Sequence, residues 1–109
     1  MSKKKKETRN KFRKDALKRD KYECKMCAKK DCELDVHHVT DRNEMPNGGY
    51  VKYNGISLCC GIGGCHEKAE KFHQTNGKEW VEGFHPNDLY KKIGSSKEFA
   101  VKESKRLAV

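Results

Sequence analysis

Cys24 and Cys27 stand with two residues between them, and a second group of thiols returns at Cys59, Cys60 and Cys65. The first spacing places two thiolates on one side of a tight turn, and with two from the second group they can surround one zinc ion tetrahedrally. Which two is open, because Cys59 and Cys60 are neighbours that point to opposite faces of a strand, so only one faces Cys65. Cys32 lies too far beyond Cys27 to share the turn and is read as a bystander. A redox role for Cys24 and Cys27 requires a strand-to-helix turn in a βαβ setting, which the flanking residues lack. The remaining alternative to a metal is a set of buried, inert thiols. Threaded between the cysteines are His37-His38, Asn54 and His66. A single histidine is most often structural. Imidazoles interleaved with an amide and two thiol groups mark a functional constellation, imidazole chemistry being proton transfer and metal ligation.

These residues need elements to position them. Leu34 to Val39 and Gly55 to Leu58 read as two short strands. The long connection between Thr40 and Gly55 is rich in turn formers (Asp41, Asn43, Pro46, Asn47, Gly48, Gly49), and a loop of that length is usually functional. His66 to Gln74 reads as a helix that follows a Gly-Ile-Gly-Gly turn and stops before Gly77. Upstream, Phe12, Ala16 and Leu17 fall at helical spacing among Arg13, Lys14, Lys18 and Arg19, which predicts a basic amphipathic helix over roughly residues 9–20. Pro86, Leu89, Tyr90 and Ile93, ending at Gly94, outline a short helix; Ser95 or Ser96 caps a last one containing Phe99, Ala100 and Leu107. Trp80, Phe84 and Tyr90 are expected to pack these helices onto the domain. The order of elements predicts a small α+β domain.

Composition narrows the setting. The chain has 109 residues, 38% of them charged and 34% apolar, with mean hydropathy −1.08, so its core is thin and calls for a metal or covalent staple. The net charge of +9 is concentrated: residues 1–30 carry fourteen Lys/Arg against four Asp/Glu, while residues 31–109 carry eleven against twelve. A basic segment leading into a near-neutral domain is the electrostatic footprint of a nucleic-acid binder, or else of a solubilising arm. Residues 1–8 are read as a basic disordered tail. Residues 9–109 are read as one domain, with its core over about 12–75 and a helical extension over 78–109. No apolar stretch approaches the ~20 residues needed to span a bilayer and no signal peptide is evident, so a cytoplasmic, reducing compartment is expected, where metal binding is favoured over disulfides.

In this order of motifs the chain resembles the HNH nucleases, the ββα-metal family, in their zinc-bearing form. Phe12 through Cys27 looks like the helix and knuckle before the site, Leu34-Asp35-Val36-His37-His38-Val39 like the first catalytic strand, Asn54 to Cys59 like the segment of the central asparagine, and Cys65-His66 like the start of the metal helix. The resemblance implies a DNA endonuclease with His38 as general base, His37 and His66 as ligands of a catalytic divalent ion such as Mg2+, and Asn54 holding the base strand in register. It implies a structural zinc on Cys24, Cys27, Cys59 and Cys65, with Cys59 preferred by its distance from Asn54. The last two zinc cysteines have five residues between them where the family usually has two. The helix position sometimes filled by a further histidine is Glu70, a possible oxygen ligand, with His73 one turn on as another. Arg42 and Lys52 in the loop, and Arg13 and Lys14 in the basic helix, are candidate phosphate contacts. A zinc-stapled nucleic-acid-binding module without catalysis is the alternative, and a zinc-dependent protein-interaction domain is disfavoured by the basic segment. A chain with so few base-reading features points to weak specificity or to a protein partner that supplies it.

Overall fold

Phe12, Ala16 and Leu17 are the buried residues of the first helix, α1 (Lys3–Arg19), in the computed structural model, which describes residues 3–107. The helix begins earlier than expected. Residues 3–8, read from their charge as a disordered tail, form its first turns, and residues 1–2 lie outside the described residues. Lysine is a good helix former, and a helix already nucleated by buried side chains extends at little cost. Thr8 Oγ1 donates back to the Lys4 carbonyl at 2.9 Å within this stretch.

At its C-terminal end α1 is tied to the rest of the chain by a pair whose partners are distant in sequence. Arg19 donates to both carboxylate oxygens of Asp20, at 2.8 and 2.7 Å, and to the carbonyls of Lys52 at 2.6 Å and Gly55 at 2.7 Å. Asp20 is buried and also accepts from the Ser57 N–H at 3.0 Å. Removing the carboxylate would leave a mostly buried guanidinium unpaired and a buried N–H without an acceptor. Asp20→Ala is therefore expected to cost about 3–5 kcal/mol of stability, read as a lowered denaturant midpoint. A midpoint unchanged by the substitution would show that this junction contributes little.

The strands β1 (Leu34–His38) and β2 (Gly55–Cys59) pair antiparallel, with Leu34 opposite Cys59, His37 opposite Ile56 and His38 opposite Gly55. β2 is buried along its whole length, and Ile56 and Leu58 join Leu17, Leu34, Val39, Ala69, Leu89 and Ala100 in the core. Gly55 is required by a close approach: a Cβ there would lie 2.7 Å from the Phe12 ring, which packs over the strand end. The long connection is ordered as two short 3-10 turns, Arg42–Glu44 and Lys52–Asn54, on either side of a turn over Pro46–Gly49 in which Asn47 (φ 54°) and Gly48 (φ 80°) are left-handed.

Three further helices complete an α+β fold: α2 (Cys65–Gln74), α3 (Pro86–Lys92) and α4 (Lys97–Ser104). Ser96 caps α4 by accepting from the Phe99 N–H at 3.1 Å, and Leu107 lies beyond the end of that helix. Tyr90 is buried in the core and Phe84 is packed against it. Trp80 remains about half exposed, with its ring against Phe72 and His85. Among the described residues no helix is long and apolar enough to cross a membrane.

Candidate functional site

The antiparallel register decides where each thiol and imidazole goes. Side chains alternate across a strand and directly opposed residues share a face, so Asp35, His37, Ile56 and Leu58 lie on one side of the hairpin and Leu34, Val36, His38, Ser57 and Cys59 on the other. The same alternation separates Cys59 from Cys60.

Cys24, Cys27, Cys59 and Cys65 converge, with all four sulfurs within 4.8 Å of one another, close enough to hold one zinc ion. Cys27 Sγ lies 3.7 Å from Cys59 Sγ. That is far beyond a disulfide, and it matches the separation of about 3.8 Å that tetrahedral ligation with metal-sulfur bonds of about 2.3 Å imposes. The Cys27 N–H points at Cys24 Sγ (3.5 Å) and the Cys65 N–H at Cys59 Sγ (3.3 Å), polarity suited to thiolate acceptors. Burial opposes ionisation of Cys24, but backbone N–H groups of Cys27, Cys59 and Met26 outweigh it and lower its pKa to about 7. Burial and the neighbouring thiols push Cys65 far up. Four thiolates cannot share this volume without a cation to offset their repulsion, and the donor set fits zinc.

On the Asp35 and His37 face, His37 Nδ1, His66 Nε2 and Glu70 Oε1 form a second group of donors. Glu70 accepts from His37 at 2.9 Å and from His66 at 3.2 Å, so the carboxylate is turned inward between the two rings. Hydrogen bonds from these two imidazoles hold its pKa well below the usual range. Burial lowers the His37 pKa, while the Glu70 hydrogen bond raises that of His66. Two imidazoles and one carboxylate on one side of a helix and a strand suit a divalent ion with open positions for other ligands. His73 does not join them. Its ring stacks on His37 at 5.0 Å and its Nε2 donates to the His38 carbonyl at 2.8 Å.

His38 faces the other way, toward α1. Its ring stacks on Phe12 at 4.7 Å and meets Tyr50 edge-on at 4.9 Å. Burial, followed by the charges of His37 and Arg42, lowers its pKa to about 4, so the ring is neutral at physiological pH. Its Nε2 is buried and has no hydrogen-bond partner among the described residues.

Asn54 is completely buried and all its side-chain capacity is used. Its Oδ1 accepts from the Thr40 N–H at 2.9 Å and the Tyr90 hydroxyl at 2.7 Å, and its Nδ2 donates to the carbonyls of Thr40 at 3.1 Å and Gly49 at 3.2 Å. The Asn54 carbonyl accepts from the Val39 N–H at 2.9 Å, so this residue fastens the end of the His37-His38 strand to the loop. Gly49, at φ +66°, has to lack a side chain, since a Cβ would fall 2.7 Å from Asn54 Nδ2. The Thr40 and Tyr90 hydroxyls, 2.6 Å apart, extend the network to α3. Nothing local in the sequence signals the Tyr90 partner, 36 positions from Asn54.

The candidate phosphate contacts divide. Arg13 donates to the Leu34 carbonyl at 3.1 Å and lies 3.8 Å from Asp35, an anchor for β1. Lys14 is exposed on α1. Lys52 lies over the Tyr53 ring, and Arg42 is exposed, with its pKa raised by the Tyr50 side chain. Arg9, not singled out from the sequence, lies 5.3 Å above the Tyr50 ring, and with Lys5, Thr8, Asn47 and Gly48 it lines an open cleft of about 340 Å³ beside His38's neighbour.

The depressed histidines make the fold acid-sensitive. Below the unfolded histidine value of about 6.5 the unfolded chain takes up protons that folded His38 refuses until about pH 4, so stability falls as pH drops through that window. His38 alone contributes roughly 2–3 kcal/mol to that fall. Urea midpoints from pH 7 to 4 should decline in the wild type and decline less in His38→Gln; equal slopes would contradict the assignment.

Compared with protein-family models, with curated proteins and with solved structures, the chain finds no match.

Proposed function

We propose that this chain is a metal-dependent endonuclease of the HNH type, hydrolysing phosphodiester bonds of DNA, with a structural zinc on Cys24, Cys27, Cys59 and Cys65. The observation that carries the reading is the division of the adjacent histidines. His37 meets His66 and Glu70 in a donor set for an ion, while His38 is kept neutral with an unpartnered Nε2. A histidine that accepts a proton must be unliganded and uncharged, and a ligand must stay deprotonated, so one hairpin end serves both demands.

In this reading His38 Nε2 takes a proton from a water molecule as its oxygen bonds to phosphorus and the bond to the leaving oxygen breaks. A divalent ion such as Mg2+, held by His37, His66 and Glu70, would stabilise charge on the phosphate and the leaving oxygen. Asn54 holds the His38 backbone in place through Thr40 and Val39, so the base needs no reorganisation of its strand. The packing of Phe12 and Tyr50 around the ring must loosen for water to reach Nε2. Arg9 over the Tyr50 ring and the exposed Arg42 supply cationic charge for a strand's flanking phosphates, and a protein partner would supply any sequence preference.

Incubating zinc-loaded protein with supercoiled plasmid and a panel of divalent metals tests the reading. Nicked or linear product that requires metal is expected. Binding without any cleavage would replace the enzyme with a zinc-stapled nucleic-acid-binding module.

A further inference from the structure

Cys60 has no place in either donor set above, yet it is not isolated. It follows β2 on the side opposite Cys59, and its sulfur, a carboxylate oxygen of Asp35 and a ring nitrogen of His66 lie within 4.8 Å of one another. His66 Nδ1 is 3.3 Å from Asp35 Oδ2, and the Cys60 sulfur lies within 4.8 Å of both side chains' ligand atoms. Tetrahedral zinc with nitrogen and oxygen ligands at about 2.0–2.2 Å holds those atoms about 3.3–3.5 Å apart, which is the spacing of the Asp35 and His66 atoms, and the Cys60 sulfur is near enough to close on the same ion. The Asp35 side chain is half exposed and His66 is partly so, which leaves a path for an ion and room for water as a fourth ligand.

We infer that Asp35, Cys60 and His66 form a second binding site for a thiophilic divalent cation of the zinc class, distinct from the four-cysteine cluster. The ion displaces the Cys60 thiol proton to solvent and takes the lone pair of His66 Nδ1, while the ring keeps its proton on Nε2, which faces Glu70 and joins this site to the His37 and Glu70 donors. The thiolate distinguishes the two sites, since the His37, His66 and Glu70 set offers only nitrogen and oxygen and has no preference for a soft metal. The inference goes beyond the nuclease reading and does not depend on it, because its test reads metal binding and not cleavage.

The test uses the full chain carrying one zinc per molecule, titrated with Co2+. Cobalt binds such sites more weakly than zinc and leaves the four-cysteine cluster filled, so a thiolate-to-cobalt charge-transfer band reports a cysteine outside it. A saturable band at one further equivalent is expected in the wild type. It should vanish in Cys60→Ser and persist in Cys32→Ser, while Asp35→Ala should weaken cobalt binding on the order of tenfold or more. Zinc content and far-ultraviolet circular dichroism verify that each variant is folded. A zinc-loaded wild type that gives no thiolate band, or a band that survives in Cys60→Ser, would overturn the site.

Discussion

In the proposed endonuclease, replacing His38 with alanine is expected to slow DNA cleavage by about 10²–10⁴, the range for loss of a general base, while the affinity for the divalent ion proposed at His37, His66 and Glu70 stays nearly unchanged. The geometry supports this separation, because His38 points toward Phe12 and Tyr50 and contributes no atom to the His37, His66 and Glu70 group. His66→Ala and His37→Ala should behave differently. Each removes a nitrogen from that group, so divalent-ion affinity falls and part of the lost activity returns at high metal concentration. Glu70→Gln belongs with them, since Glu70 hydrogen-bonds both imidazoles. Calorimetric metal titration alongside rate measurements on all four variants checks the assignment. Metal rescue of His38→Ala but not of His37→Ala would mean that base and ligand have been exchanged.

Stripping the structural zinc is expected to unfold the protein. Structural zinc sites contribute apparent binding free energies of about 10–16 kcal/mol near neutral pH, comparable with or larger than the entire stability of a small domain. Here the dependence should be nearly complete, since Cys24, Cys59 and Cys65 are themselves buried core residues and the cluster ties the knuckle after α1 to the end of β2 and the start of α2. Strong chelator should abolish the cooperative thermal transition, and added zinc should restore it. Cys59→Ser should lose the ion and the fold together, whereas Cys60→Ser should keep one zinc per chain. A zinc-free chain with an unchanged transition would contradict the assignment.

What the sequence made legible follows from range. The strands, α2, α3 and the Ser96 cap of α4 rest on local patterns, and the clustering of Cys24, Cys27 and Cys65 rests on spacing. The choice between Cys59 and Cys60 was closed by the pleat and by the pairing of Leu34 with Cys59, a register that no local pattern specifies. In the sequence Arg19 is one of several basic residues of the first helix, and its carbonyl partners at Lys52 and Gly55 lie 33 and 36 positions away. The Tyr90 hydroxyl on Asn54 and the His73 nitrogen on the His38 carbonyl span 36 and 35 positions, which places them beyond any spacing argument. Residues 3–8 were misread because net charge favours disorder, while helix propagation from a packed segment favours order, and here propagation dominates.

The most direct measurement follows the oxygen that attacks phosphorus. Zinc-loaded protein is allowed to cleave duplex DNA in a single turnover, with Mg2+ present and the water enriched in the heavy oxygen isotope, and the new terminal phosphate is weighed by mass spectrometry. Hydrolysis by water activated at His38 predicts one heavy oxygen per cut, at a rate that collapses in His38→Ala. Cleavage that leaves the new phosphate unlabelled, or no cleavage by the zinc-loaded wild type under any divalent metal, would contradict it.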